Sequence, residues 1–219
     1  MNYYVVVEGA ATEKEVYRSW IPLVNTQLKF VSHPSMLDDG KFSIVSGFGY
    51  PFYKRIILNA IEDISGMEGL TRLVVCVDSE DMEMAEKFEE IQLLVTSAAF
   101  SGLDFRIVVQ HFCFETWALG NRKLKGPTHN ADLIKLRKFY DVSLLDPEGL
   151  PPLTERKLNR SQHASYYLAK LLNNKHKNIT YSKSSPGVVA HPKYFDQIRN
   201  RLLDTHHINS FDSFLNAFH

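Results

Sequence analysis

The sequence predicts an α/β fold: a parallel sheet of about four strands flanked by helices, followed by a mostly helical extension. Three observations predict it. Tyr3-Tyr4-Val5-Val6-Val7 and Leu73-Val74-Val75-Cys76-Val77 are nearly unbroken apolar runs rich in β-branched residues, as strands buried on both faces require. Strand and helix patterns alternate as far as Val109, which is how a sheet covered on both faces is built. Beyond that point helical periodicity dominates.

The elements follow in order. Strand 1 covers Tyr3–Val7. Thr12 and Glu15 then have capping-box spacing, and Val16, Trp20 and Val24 recur on one face of the helix they open. Phe42–Val45 is a short second strand leading into Gly47-Phe48-Gly49. Pro51 suits a first helical position, and Phe52, Ile56, Ile57, Ala60, Ile61 and Ile64 keep helical period until Gly66. Strand 3 is Arg72–Val77. A helix follows from about Asp81, with Ser79 as its cap and Ala85, Phe88, Ile91, Val95 and Ala98 facing inward. Phe105–Val109 is strand 4. Four further helices are expected over Asp132–Phe139, Ser161–Leu172, Pro192–Leu203 and Ser210–Phe218.

At 219 residues the chain is long enough to bury a core as one domain with an extension. The division falls between a core at 1–121 and a basic, mainly helical extension at 122–219 that packs on it. No apolar run approaches the ~20 residues that a membrane span needs. The first residues read as a strand, not a signal peptide. Cys76 and Cys113 lie in apolar sequence outside any CxxC pattern, and read as reduced structural thiols of a cytoplasmic protein. The balanced net charge hides an asymmetry: residues 1–121 carry 9 Lys+Arg against 17 Asp+Glu, residues 122–177 carry 12 against 5, and residues 178–219 carry 4 against 3. An acidic core joined to a basic segment suits a metal site beside an anion-binding face; a solvated helical surface would look similar.

Two acids carry the chemistry. Glu8-Gly9 follows strand 1 directly, and Asp78-Ser79-Glu80-Asp81 follows strand 3 directly. In open α/β sheets ligands bind beyond the carboxyl ends of the strands, where a carboxylate packs poorly but can hold a hard cation. Glu13, Glu15, Glu80 and Asp81 have an alternative role as first-turn acids of helices; Glu8 and Asp78 do not. Magnesium takes near-octahedral oxygen ligands through one or two carboxylates, keeping waters and substrate phosphates. His111 and His191 read as hydrogen-bonded packing residues rather than as acid/base groups. No Walker loop and no Gly-x-Ser-x-Gly elbow is present.

Val5-Val6-Val7-Glu8-Gly9 with Thr12-Glu13, followed later by Asp78-x-Glu80-Asp81, resembles the TOPRIM fold, the Rossmann-like metal-binding domain of topoisomerases, primases and OLD-type nucleases. That pattern has a glutamate after strand 1, a glycine after strand 2 and an Asp-x-Asp after strand 3. Gly47 or Gly49 takes the second role, while Glu80 stands where an aspartate is usual, so either Glu80 or Asp81 is the second acid. Glu13 and the Phe114-Glu115-Thr116-Trp117 stretch resemble the small stand-alone TOPRIM effectors of bacterial anti-phage defence. The resemblance makes Glu115 a further metal ligand, its alternative being a partly exposed acid at a helix start. It also implies a late active-site lysine, which Lys183 matches; an exposed loop lysine is the alternative.

The expected function is metal-dependent cleavage of nucleic-acid phosphodiester bonds. Glu8, Asp78, Glu80 and Lys183 would be catalytic, and Glu8, Glu13, Asp78, Glu80, Asp81 and Glu115 would hold Mg²⁺ or Mn²⁺. Arg122 to Lys138, with Arg156, Lys157 and Arg160, would grip the backbone of DNA or RNA, a tRNA included. The resemblance adds a separate ABC-type ATPase partner in an anti-phage defence system. The alternative is a non-catalytic assembly or sensor subunit that keeps the scaffold and binds a partner protein or nucleic acid.

Overall fold

In a computed structural model of the protein, the described residues are 1–175, 181–182 and 185–219. The fold is α/β, with a five-stranded, all-parallel open sheet flanked by helices, compatible with a Rossmann-like architecture. The strands are β1 (Asn2–Val7), β2 (Lys29–Phe30), β3 (Lys41–Ser46), β4 (Thr71–Asp78) and β5 (Asp104–Gln110). The helices are α1 (Thr12–Val24), α2 (Phe52–Ser65), α3 (Met84–Ala98), α4 (Phe114–Ala118), α5 (Ala131–Phe139), α6 (Arg160–Lys175), α7 (Pro192–Thr205) and α8 (Ser210–Ala217). Among the described residues no helix is long and apolar enough to cross a membrane.

The sheet order is β2-β3-β1-β4-β5. From β1 the chain crosses to the edge strand β2, comes back to β3 beside β1, then passes to the other side of β1 for β4 and β5. The order therefore reverses between β1 and β4, which makes the crevice beyond their carboxyl ends the switch point where open α/β sheets bind ligands. Register fixes those ends closely: Val7 pairs with Cys76 and with Ser46.

Two compact units divide the chain. The first comprises Met1–Val77, Glu83–Val109 and Ser213–His219; the second comprises Asp78–Met82 and Gln110–Asp212. In the first, strand alternation sorts the core. Tyr4, Val6, Leu73, Val75, Val77 and Val109 pack with Tyr53, Ile57, Ala60, Ile61 and Ile64 of α2 and Ile91 and Val95 of α3. Each such fully buried aliphatic side chain is worth roughly 1.5–3 kcal/mol. On the opposite face Tyr3 meets Phe218 at 5.6 Å, and Phe214 meets Tyr17 at 4.6 Å and Trp20 at 6.3 Å. Arg72 ties this arrangement to the chain end. Its guanidinium donates to Asp104 at 2.8 Å, to the Ala217 carbonyl at 3.2 Å and to the His219 carbonyl at 2.6 Å.

The second unit is helical. Trp117 stacks edge-on against Phe211 at 5.1 Å, and Phe211 against Phe195 at 5.8 Å. Arg201 is fully buried, donating to the Val142 and Leu145 carbonyls at 2.8 and 2.7 Å.

The structure corrects the sequence expectations at several points. A fifth strand, β2, escapes detection because two residues show no periodicity. Thr12 is the first helical residue of α1, not its cap; Ala11 takes the cap position without a side-chain bond. Pro51 stands at the cap position of α2, one residue before the helix. Helix α3 begins at Met84, later than Asp81, because Ser79–Met82 form a turn in which Glu80 is left-handed (φ 50°). Phe88 points outward, and Lys87 takes the inward place expected of an apolar residue.

Candidate functional site

The candidate site of the first unit is built around Glu8 and Gly9. Glu8 stays in the sheet ladder, its N–H donating to the Cys76 carbonyl at 3.0 Å. The end of β3 and the loop after it are fastened to Val7, Glu8 and Gly9. Gly49 N–H donates to the Glu8 carbonyl at 2.8 Å, Ser46 Oγ to the Gly9 carbonyl at 2.6 Å, and Gly47 N–H to the Val7 carbonyl at 2.7 Å. Two glycines make this close approach possible. A Cβ on Gly47 would lie 2.4 Å from Tyr53 Cβ and 2.9 Å from the Val7 carbonyl oxygen. A Cβ on Gly9 would lie 2.1 Å from the Glu13 carboxylate, which therefore folds back over the Gly9 backbone. Glu8 and Glu13 are both buried, at 7% and 5% exposure. Both are hard oxygen donors in a position that hydrophobic packing alone would have filled with apolar residues.

A buried lysine lies nearby, and the sequence pattern missed it. Lys87 Nζ donates to the Tyr53 hydroxyl at 3.2 Å and pairs with Glu90 at 3.1 Å, while Lys54 pairs with the other Glu90 oxygen. Burial pulls the Lys87 ammonium down, but Glu90 and Tyr53 hold it above the usual lysine value. Burial pushes the Tyr53 phenol up against the pull of Lys87, with the charges of Glu8 and Glu90 adding to the rise. The signal was present in the sequence: Lys87 precedes Ile91 by one helical turn.

In the second unit, Asp78 is partly exposed and accepts from Gln110 Nε2 at 2.7 Å. Gln110, fully buried at the end of β5, was also missed. Ser79 does not cap α3; its hydroxyl pairs with His111 Nδ1 at 3.0 Å. Glu80 and Asp81 are exposed on the turn that precedes α3, so they are not the first-turn acids of that helix. Glu115 is 2% exposed, not the partly exposed acid that the alternative reading expected, and accepts from the Tyr181 hydroxyl at 3.0 Å. His191 is exposed and caps α7, its Nδ1 accepting from Lys193 N–H, so it is not a packed core residue. Lys183 lies outside the described residues.

The basic segment is partly neutralised within its own unit. Arg122 pairs with Asp204, and Arg156 and Lys170 both pair with Asp132 at 2.9 Å. Lys123, Lys125, Lys135, Lys138 and Lys157 are exposed. Asp132, Lys135, Lys138, Phe139, Arg156 and Tyr166 line a shallow cavity of this unit.

Among the described residues no three Asp, Glu, His or Cys side chains form a ready-made metal cage. No family model, curated protein or solved structure matches the chain.

Proposed function

We propose that this protein is a metal-dependent phosphodiesterase acting on nucleic acid, with a TOPRIM-type site at the carboxyl edge of its sheet. One observation carries the reading. Glu8 follows β1 and Asp78 closes β4, adjacent parallel strands in the register Val7 to Cys76, at the point where strand order reverses. The donor set suits a magnesium or manganese ion, since a metal that keeps waters and substrate phosphate needs one or two carboxylates. Glu8 and Asp78 would be the primary holders, and Glu13, Glu80, Asp81 and Glu115 are the acids proposed to support them. When bound, the metal would lower the pKa of water and stabilise charge on the transferring phosphate.

The chain's own residues do the rest. Gln110 fixes the Asp78 carboxylate through its amide. The loop after β3 holds the Glu8 backbone through the Gly49 N–H, which fixes where its side chain leaves the sheet. Lys183 and the exposed lysines of the basic segment would hold phosphates, a sequence-independent attraction. The resemblance to stand-alone TOPRIM effectors adds a cytoplasmic, ATPase-controlled antiviral setting to the proposal.

The test is direct. The protein is incubated with Mg²⁺ and plasmid, linear DNA or tRNA, beside Glu8→Gln and Asp78→Asn variants. Cleavage of at least one substrate that both variants abolish is expected; cleavage of equal rate in either variant contradicts the assignment. Glu80 in place of the aspartate of Asp-x-Asp favours one second reading, a non-catalytic subunit on the same scaffold. That reading predicts nucleic-acid or partner binding indifferent to divalent metal.

A further inference from the structure

Phe48 and Tyr50 on the loop between β3 and α2, and Phe52 as the first residue of α2, alternate along the chain, separated by Gly49 and Pro51. They are 67%, 63% and 66% exposed. Exposure of one large apolar residue is ordinary, but three aromatics at alternate positions of one five-residue stretch are not. Phe48 adopts a left-handed backbone (φ 60°), a conformation that bulky residues avoid. The loop is nevertheless held in place: Gly49 N–H and Ser46 Oγ bind the Glu8 and Gly9 carbonyls, and Phe48 N–H reaches Ser46 Oγ at 3.4 Å. The same bonds that position the candidate metal acid therefore position the exposed rings.

Positive charge accompanies the rings. Lys54 Nζ, which also pairs with Glu90, lies 5.2 Å from the centre of the Tyr50 ring, and the buried Lys87 Nζ lies 5.9 Å from it. Arg55, exposed one helical turn from Phe52, is the cation best placed to meet phosphate. Tyr50 also leans on Tyr53 at 6.2 Å. Flat aromatic faces interleaved with cations suit nucleobases, which stack on such rings whatever their sequence while the phosphates meet the charges. Bases paired within a duplex have no free face to offer.

We infer that Phe48, Tyr50 and Phe52 form a stacking platform for unpaired bases beside Glu8, so that the substrate is single-stranded or locally unpaired nucleic acid. The inference rests on the nuclease reading for the kind of occupant, and deepens it by naming the strand state.

The test measures binding without metal, in a chelator, by fluorescence anisotropy of a labelled thymidine oligonucleotide and of its duplex. Replacing Phe48 and Phe52 together by Ala should weaken single-strand binding at least about fivefold per lost stack and leave duplex binding unchanged. Phe48→Gly separates stacking from folding, because glycine accepts the left-handed backbone; its melting temperature should hold or rise while single-strand affinity falls. A Tyr50→Trp variant should be quenched on adding the oligonucleotide. Unchanged single-strand affinity in the ring variants, or an unquenched Trp, overturns the platform and leaves an apolar protein surface as the occupant. Ring-dependent binding in a protein whose melting temperature ignores Mn²⁺ supports the platform while sinking the nuclease reading. Ring-independent binding with a manganese shift does the reverse.

Discussion

Gly47 sits where the chain leaves β3, with Tyr53 and the Val7 carbonyl against its Cα. Replacing it by Ala forces α2 or β1 to move, and should cost roughly 1–3 kcal/mol as overpacking does. A lowered denaturation midpoint checks this; an unchanged midpoint would mean that Tyr53 is free to shift. Glu148 is a second residue with a definite expectation. Burial pushes its carboxyl up to about 7 against the Ser210 hydrogen bonds, and the neighbouring Asp146 charge adds to the rise. A folded value above the ordinary one means that the protonated form favours the fold. That stability is complete below about pH 4.5 and is lost as pH rises through about 7. Glu148→Gln, which keeps an acceptor oxygen, should therefore be more stable than the wild type above pH 7, by at most about 3 kcal/mol, and similar in acid. Parallel pH profiles of the two proteins would contradict the assignment.

At the scale of elements, the clamp between β4 and the end of the chain makes the clearest prediction. Arg72→Ala removes three hydrogen bonds and leaves Asp104 paired with Arg106 alone, and should cost on the order of 3 kcal/mol in chemical denaturation. Asp104→Asn should cost less, because both carbonyl acceptors of Arg72 remain; an equal loss would mean that the carbonyl bonds contribute nothing. The four longer strands were legible because burial on both faces demands the runs seen in Tyr3–Val7 and Leu73–Val77. Helices α5 to α8 were legible from apolar period alone. Starting points were less so. The delay of α3 to Met84 depends on Ser79 bonding His111 and on Glu80 bonding the Phe112 carbonyl, contacts between segments far apart in sequence. The depth of Lys87 and of Glu115 was hidden for the same reason: each is an ionisable residue met in the interior by a tyrosine hydroxyl from a distant segment. The positions of Glu8 and Asp78 at the carboxyl ends of their strands were visible; the glycine contacts around Glu8 and the Gln110 bond to Asp78 were not.

For the whole molecule, the zero net charge is a sum of unlike parts, and its functional reading is the basic segment. Replacing exposed Lys123, Lys125, Lys135 and Lys138 by Gln should weaken nucleic-acid binding alike across sequences and flatten log K against log salt, by up to ~0.9 per lost duplex contact or ~0.7 for single strands. Unchanged salt dependence together with a lost protein partner would assign this surface to assembly. The central claim, however, is that Glu8 and Asp78 hold one divalent cation at the switch point of the sheet. Titration calorimetry of Mn²⁺ into the full chain tests it most directly, with Glu8→Gln and Asp78→Asn alongside. The account predicts saturable binding in the wild type, lost in both variants, while their metal-free melting temperatures hold or rise as crowded negative charge is relieved. Absence of binding in the wild type, or equal binding in either variant, would contradict it.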